Sequence, residues 1–175
     1  GPVMRDGVYD VNGVMWIADN EQGLIRLSAS GDYEFIYPDG PQSDLVSAMS
    51  SVSSRLWVTH ATRTQGWFNA YTPGNFSEFY NGDWKSYNNK TVTGTSFNIG
   101  NYYDMMSVAV DPANSQHVFI GSKGNGVLEM LNGTPVASYR DTNSTLQVGI
   151  GNPTQCQAVG MGFDKSNNLW VLNSL

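Results

Sequence analysis

Asp10-Val-Asn-Gly-Val-Met-Trp16-Ile-Ala18 decides how this chain is read, because the sequence keeps returning to it. The phrase is a polar turn followed by a large aromatic, a β-branched residue and a small one. Ser51-Val-Ser-Ser-Arg-Leu-Trp57-Val-Thr59 and Asp164-Lys-Ser-Asn-Asn-Leu-Trp170-Val-Leu172 repeat it. Asp111-Pro-Ala-Asn-Ser-Gln-His-Val-Phe119-Ile-Gly121 is a looser copy with two extra turn residues. Self-similarity in fixed order marks a repeat architecture. It speaks to fold and identifies no reaction.

A second landmark keeps time with the first. Ser30-Gly31, Asn81-Gly82 and Asn132-Gly133 are each flanked by alternating apolar residues, and their glycines stand 51 residues apart both times. Such pairs supply the positive φ angles of two-residue hairpin turns. Before each lies a strand: Leu24–Leu27, Phe76–Tyr80 and Val127–Leu131. After each lies a strand closing on tyrosine: Tyr33–Tyr37, Trp84–Tyr87 and Val136–Tyr139. Glu78 and Glu129 fall at matching positions. Inner strands are expected at Leu45–Met49, Met106–Val110 and Ala158–Phe163. Each unit therefore has four antiparallel strands, A to D, with the recurring Trp or Phe on strand B.

Four-stranded units of this length with an aromatic at a fixed place predict an all-β fold, a β-propeller fragment of about three and a half blades. Residues 1–175 form the partial propeller, with blades at about 3–38, 39–89 and 90–141 and a half blade at 142–175. A blade buries its faces only against its neighbours, so Trp16, Trp57, Phe119 and Trp170 are expected in inter-blade core. Three and a half blades leave faces and edges bare, so self-association or further blades of a longer parent are expected. The opening Gly1-Pro2 reads as an expression remnant, which fits a piece of something longer.

Composition narrows the function classes. The chain has 40% hydrophobic, 12% aromatic and only 14% charged residues, with a net charge of −6. No Lys/Arg cluster is present to neutralise phosphates, which argues against nucleic acid as a partner. The single Cys156 excludes an internal disulfide and any multi-cysteine zinc site, and in its apolar run it is expected as a buried structural thiol. No apolar run is long enough to span a bilayer.

Asp10-x-x-Gly13-x-x-Trp16-Ile-Ala18, followed by Gly23-Leu24, resembles the two-component-regulator propeller repeat. That repeat builds extracytoplasmic sensor regions of hybrid histidine kinases in Bacteroidetes-type bacteria. Within this group the chain is similar to PorZ-like proteins of the type IX (Por) secretion system. The similarity is carried by Val108–Pro112, His117–Gly121, Gly126–Glu129, Asp141–Gln147 and Asn168–Asn173. Ser51 stands where the turn Asp is expected in unit two, and Asn168 departs from the pattern too; both are turn formers. The resemblance implies a non-catalytic extracytoplasmic module for recognition or scaffolding, in the periplasm or at the cell surface, with glycan or lipopolysaccharide as partner. The alternative it implies is a periplasmic sensor domain binding a glycan-derived ligand. No cofactor is implied.

In such a scaffold the B–C and D–A connections share one face, and the long ones are 60–75 and 88–104. Long connections on a rigid frame are where recognition tends to sit. Arg63, Trp67, Phe68 and Tyr71 in the first, with Tyr102 and Tyr103 in the second, are the candidate binding residues. Packing of the loop onto its own blade is the competing reading of the same aromatics. No catalytic site and no metal site are expected. His60 and His117 fall in different units without metal-ligand spacing, His117 being expected to precede a strand and face solvent. The carboxylates are scattered and no nucleophile motif occurs. The opening phrase also resembles the Asp-box of sialidase propellers, which in those enzymes is a structural turn.

Overall fold

The computed structural model describes residues 3–36, 39–66 and 68–175. They fall into two compact units, Gly1–Asp39 and Gly40–Leu175. The first unit is one four-stranded antiparallel meander of β1 (Met4–Tyr9), β2 (Met15–Asp19), β3 (Gly23–Leu27) and β4 (Tyr33–Ile36). Tyr37 and Pro38, at the expected end of its last strand, lie outside the described residues. The second unit holds two more four-stranded meanders: β5 (Val46–Val52), β6 (Arg55–His60), β7 (Phe76–Tyr80) and β8 (Asp83–Tyr87), then β9 (Met105–Asp111), β10 (Asn114–Ser122), β11 (Val127–Leu131) and β12 (Thr134–Tyr139). A hairpin of β13 (Gln157–Phe163) and β14 (Leu169–Ser174) completes it.

Turn chemistry accounts for the meanders. Asn81-Gly82 and Asn132-Gly133 are two-residue turns in which all four residues have positive φ, as the twist of a tight hairpin requires. Ser30-Gly31 does not form such a turn. Only Gly31 takes positive φ, and five residues separate β3 from β4. A hydroxyl ladder from Ser28 through Ser30 to Asp32 satisfies this wider loop instead, at 2.7 Å each.

Burial in the second unit follows from stacking. Strand β9 packs against β5 and β6 on one side and β13 on the other. Accordingly it is buried along nearly its whole length, and its sequence Met-Met-Ser-Val-Ala-Val runs apolar instead of alternating. Strand β14 alternates between half-buried and exposed residues. The core between the first two sheets of this unit is built on Trp57, Phe76 and Tyr87 with Ile99, Tyr102 and Met105. Phe76 and Tyr87 stack at 4.8 Å, and Trp57 lies 5.5 Å from Tyr87.

The recurring aromatics follow one rule with different outcomes. Trp57 is 1% exposed and its indole N–H donates to the Ser115 carbonyl of the next sheet at 3.0 Å. Phe119 is half-buried and meets Phe163 of the hairpin, centroid to centroid at 5.9 Å. Each ring thus faces the following sheet. Trp170 has no following sheet among the described residues, and it is 68% exposed. The expectation of burial therefore fails at Trp170, for the reason that it succeeds at Trp57. Trp16 is half-buried in its own unit.

The acid of the repeated phrase works as a turn clamp. Asp10 accepts the N–H groups of Asn12 and Val14 and the Trp16 indole N–H at 2.8, 3.1 and 3.1 Å. Asp164 does the same with Ser166, Asn168 and Trp170 at 2.8, 2.9 and 2.9 Å. The indole bond is the largest influence holding each carboxyl below its ordinary pKa. In the second sheet the clamp is absent. Ser50 pairs with Trp57, so Val52 and not Ser51 occupies the acid's register position. A shorter turn, Ser53-Ser54 with both φ positive, replaces the clamp.

Candidate recognition site

The connection 61–75 leaves β6 and returns as β7, and one carboxylate dictates its course. Asp104 is fully buried at the foot of β9. Its Oδ2 accepts the N–H groups of Ala70 and Tyr71 at 2.9 and 3.0 Å, and its Oδ1 that of Thr72 at 2.9 Å. The Thr72 carbonyl in turn accepts the Asp104 N–H at 2.9 Å. Tyr71 and Asp104 both hold positive φ, 56° and 50°, a costly conformation for a bulky residue. The three charge-assisted bonds hold Tyr71 in it.

This clamp presents aromatic surface. Tyr71 is exposed and packs on Tyr103, centroids 5.1 Å apart. Gly124 makes room for Tyr103, since a Cβ there would stand 2.5 Å from the ring. Gln155, from the connection after β12, accepts the Asn69 side-chain N–H at 2.8 Å and reaches the Tyr71 hydroxyl at 3.5 Å. Burial is the main cause that raises the Tyr103 hydroxyl above its ordinary pKa. Phe68 is 75% exposed, with its N–H and carbonyl bonded back to Thr64. Arg63 is exposed, and its backbone pairs with Asn69.

Of the residues expected to bind, Arg63, Phe68, Tyr71 and Tyr103 are therefore at or near the surface of one loop cluster. Tyr102 is not. It is 3% exposed and belongs to the core, where it caps the short helical turn Ile99–Asn101 with its N–H donating to the Ile99 carbonyl at 3.0 Å. Trp67 lies outside the described residues. Sequence reading missed Asp104 as an organiser, along with Gln155 and Lys123. Lys123 lies in the turn after β10, where its N–H donates to the Asp104 carbonyl at 3.1 Å.

The titratable groups elsewhere are structural. His60 Nε2 lies 2.8 Å from Ser77 Oγ, but both residues are buried. Burial also lowers the His60 pKa, which favours neutral imidazole. A serine and histidine so enclosed cannot meet a substrate. Cys156 is buried, and burial pushes its thiol pKa up. Among the described residues no group of three His, Cys, Asp or Glu side chains could hold a metal ion.

His117 corrects the expectation that it precedes a strand. It lies within β10 and is half-buried. Its Nδ1 lies 2.9 Å from Asp111 and its Nε2 2.7 Å from Glu129. Only the imidazolium donates to both. Burial pulls its pKa down, but the two carboxylates more than offset this and raise it. Burial likewise opposes ionisation of Asp111, whose pKa is nevertheless held low by the Ala113 and His117 bonds. A raised folded-state pKa stabilises fully below the unfolded value of 6.5 and the gain is lost as pH rises through the folded value. Melting temperature is therefore expected to fall as pH rises above about 6.5. His117→Gln should flatten that slope; an unchanged slope would place its origin elsewhere.

No family model matches the chain, and no curated protein matches it. Among solved structures the chain is similar to PorZ, an essential bacterial surface component of the type-IX secretion system of Porphyromonas gingivalis. The identity is 23% over 94% of this chain, with a TM-score of 0.63. This is a β-propeller fold. The chain spans 22% of that protein's length, so the comparison concerns a group of blades. The extracellular domain of a putative one-component system from B. thetaiotaomicron aligns at 13% identity and TM-score 0.43, over 97% of this chain and 19% of that one. That of a putative hybrid two-component system from the same organism aligns at 16% and 0.30, over 96% and 25%. Among the described residues no helix is long and apolar enough to cross a membrane.

Proposed function

We propose that the chain is a non-catalytic, extracytoplasmic propeller module that recognises a glycan-bearing ligand, as a PorZ-like surface component. The observation that supports this is the loop cluster clamped by Asp104. A buried carboxylate, a Tyr71 held at positive φ and the Tyr71–Tyr103 pair together make a fixed aromatic platform at one end of the sheets. Packing of the chain does not need Tyr71 exposed, nor Phe68 three-quarters in solvent. Rigid aromatics offer contact area at low entropic cost, and sugar rings stack on them. The fold shared with PorZ supports the surface location, and the structural roles of both histidines and of Cys156 support a binding role over a catalytic one.

A glycan array probed with the full chain tests this reading. Binding is expected to at least one neutral or acidic saccharide class, and Tyr71→Ala should weaken it about tenfold. The Asp104 clamp uses only the Tyr71 backbone, so this variant keeps the loop in place. An array without signal, or a variant that binds as the parent does, would overturn the proposal.

A further inference from the structure

Strand alternation in the second sheet sends Trp57 of β6, Phe76, Glu78 and Tyr80 of β7, and Asp83, Lys85 and Tyr87 of β8 to one face. That face looks at the following sheet, to which Trp57 is bonded. Trp57, Phe76 and Tyr87 are buried beneath it, whereas Tyr80, Asp83 and Lys85, at the corner nearest the Asn81-Gly82 turn, are exposed. This corner borders a concavity of about 260 Å³, closed from the far side by Gln116 and the Asn132-Gly133 turn. The cleft lies toward the opposite end of β6 from the connection 61–75 and shares no residue with the aromatic platform. We infer that the cleft binds a zwitterion, a free α-amino acid or a short peptide, with Lys85 on its carboxylate and Asp83 on its ammonium. The inference stands apart from the recognition reading above.

The arrangement of charge carries the inference. Lys85 stands across the strands from Glu78. At the same register of the first sheet Arg26 and Glu34 form an ion pair at 3.5 Å, and in the third sheet Glu129 faces the uncharged Ala137. Glu78 does not serve Lys85 in that way, because Arg55 holds its Oε1 and the Tyr87 hydroxyl its Oε2. The Lys85 ammonium lies instead over the Tyr87 ring at 4.9 Å, beside Gly133, where a Cβ would stand 3.2 Å from Nζ. Asp83 is two residues earlier, about 7 Å back along β8. Among the described residues neither Asp83 nor Lys85 is in an ion pair. One anion and one cation thus border the same small hollow without contacting each other. A ligand carrying both charges a few bonds apart answers both with charge-assisted hydrogen bonds, whereas an ion of either single sign meets a like charge. The carboxamides of Gln116 and Asn132 flank the two, and the exposed Tyr80 ring offers apolar contact to a side chain. The hollow is smaller than the usual pocket for a drug-sized ligand, which suits a single amino acid.

NMR titration of the full chain with L-leucine, L-leucinamide, N-acetyl-L-leucine and the dipeptide Leu-Gly tests the charge requirement. Leucine is expected to shift the amides of Asp83, Lys85 and Gly133 to saturation. Leucinamide lacks the carboxylate and N-acetyl-leucine the ammonium, and neither is expected to shift them at the same concentration. Lys85→Gln and Asp83→Asn should each weaken leucine about tenfold at an unchanged melting temperature, since both side chains are exposed. Saturation by Leu-Gly at lower concentration than by leucine would keep the zwitterion and assign the cleft to a short peptide. If leucine and Leu-Gly both leave these amides in place, or leucinamide or N-acetyl-leucine binds as leucine does, the proposal is wrong. It is equally wrong if both variants bind leucine as the parent does. Tyr71→Ala should leave leucine binding untouched, and a loss there would move the site to the aromatic platform. An absence of saccharide binding would overturn the recognition reading and leave the amino-acid cleft standing.

Discussion

Arg55→Met is expected to cost about 3–5 kcal/mol of folding stability. Arg55 and Glu78 form a buried ion pair with side chains 10% and 9% exposed, at the wall between the first two sheets of the second unit. The Tyr87 hydroxyl donates to the other side of Glu78 at 2.6 Å. Burial pushes the Tyr87 pKa up to about 12 against the pull of Arg55, so that proton stays in place. The guanidinium also lies over the Tyr80 ring at 3.8 Å. Methionine keeps much of the volume and removes the charge, which leaves Glu78 ionised, buried and served by one neutral donor. The pair itself contributes far less than this penalty. The double replacement Arg55→Met, Glu78→Leu should return to within about 1 kcal/mol of the parent or exceed it. Denaturant melts of the parent, both single variants and the double decide the matter. A cost below about 1 kcal/mol for Arg55→Met would mean that water already reaches Glu78.

The second large effect is expected at Asp104. Its replacement by alanine strips the acceptors from three N–H groups and should cost about 2–4 kcal/mol. Asn tolerates positive φ and keeps one oxygen, so Asp104→Asn should cost about half as much. The loss has a second readout that a general packing defect lacks. Amide exchange at residues 70–72 should rise before the core exchanges, because Tyr71 then relaxes from its left-handed conformation. Unchanged protection there would remove Asp104 as the organiser of the loop.

Strand placement was legible because the signals were local. Asn-Gly turns, an aromatic on strand B and a continuous apolar run at β9 each depend on residues a few positions apart. The interactions that set the walls and the site are not local. Arg55 and His117 occupy the same register position, each two residues before the B-strand aromatic, and each pairs with a glutamate opposite that aromatic. Nothing in their identities announces the equivalence, and the extra turn residues in the third copy hide it further. Asp104 contacts residues 32 to 34 positions earlier. Tyr102 and Tyr103 were equal on paper, and only the short helical turn at Ile99–Asn101, which Tyr102 caps, separates the one in the core from the other at the rim.

The inner strands carry one more recurring device. Ser47 Oγ donates to the Met105 carbonyl at 2.6 Å, and Ser107 Oγ donates to the Ala158 carbonyl at 3.2 Å. Each latch takes a backbone oxygen as its acceptor, and every residue has one. A sheet joined in this way places no demand on the side chains of the sheet it joins. Such a scaffold can lengthen by copying and let the copies drift apart, which is how one repeat can keep its tryptophan clamp, another trade it for histidine, and a third lose it while the spacing between them survives.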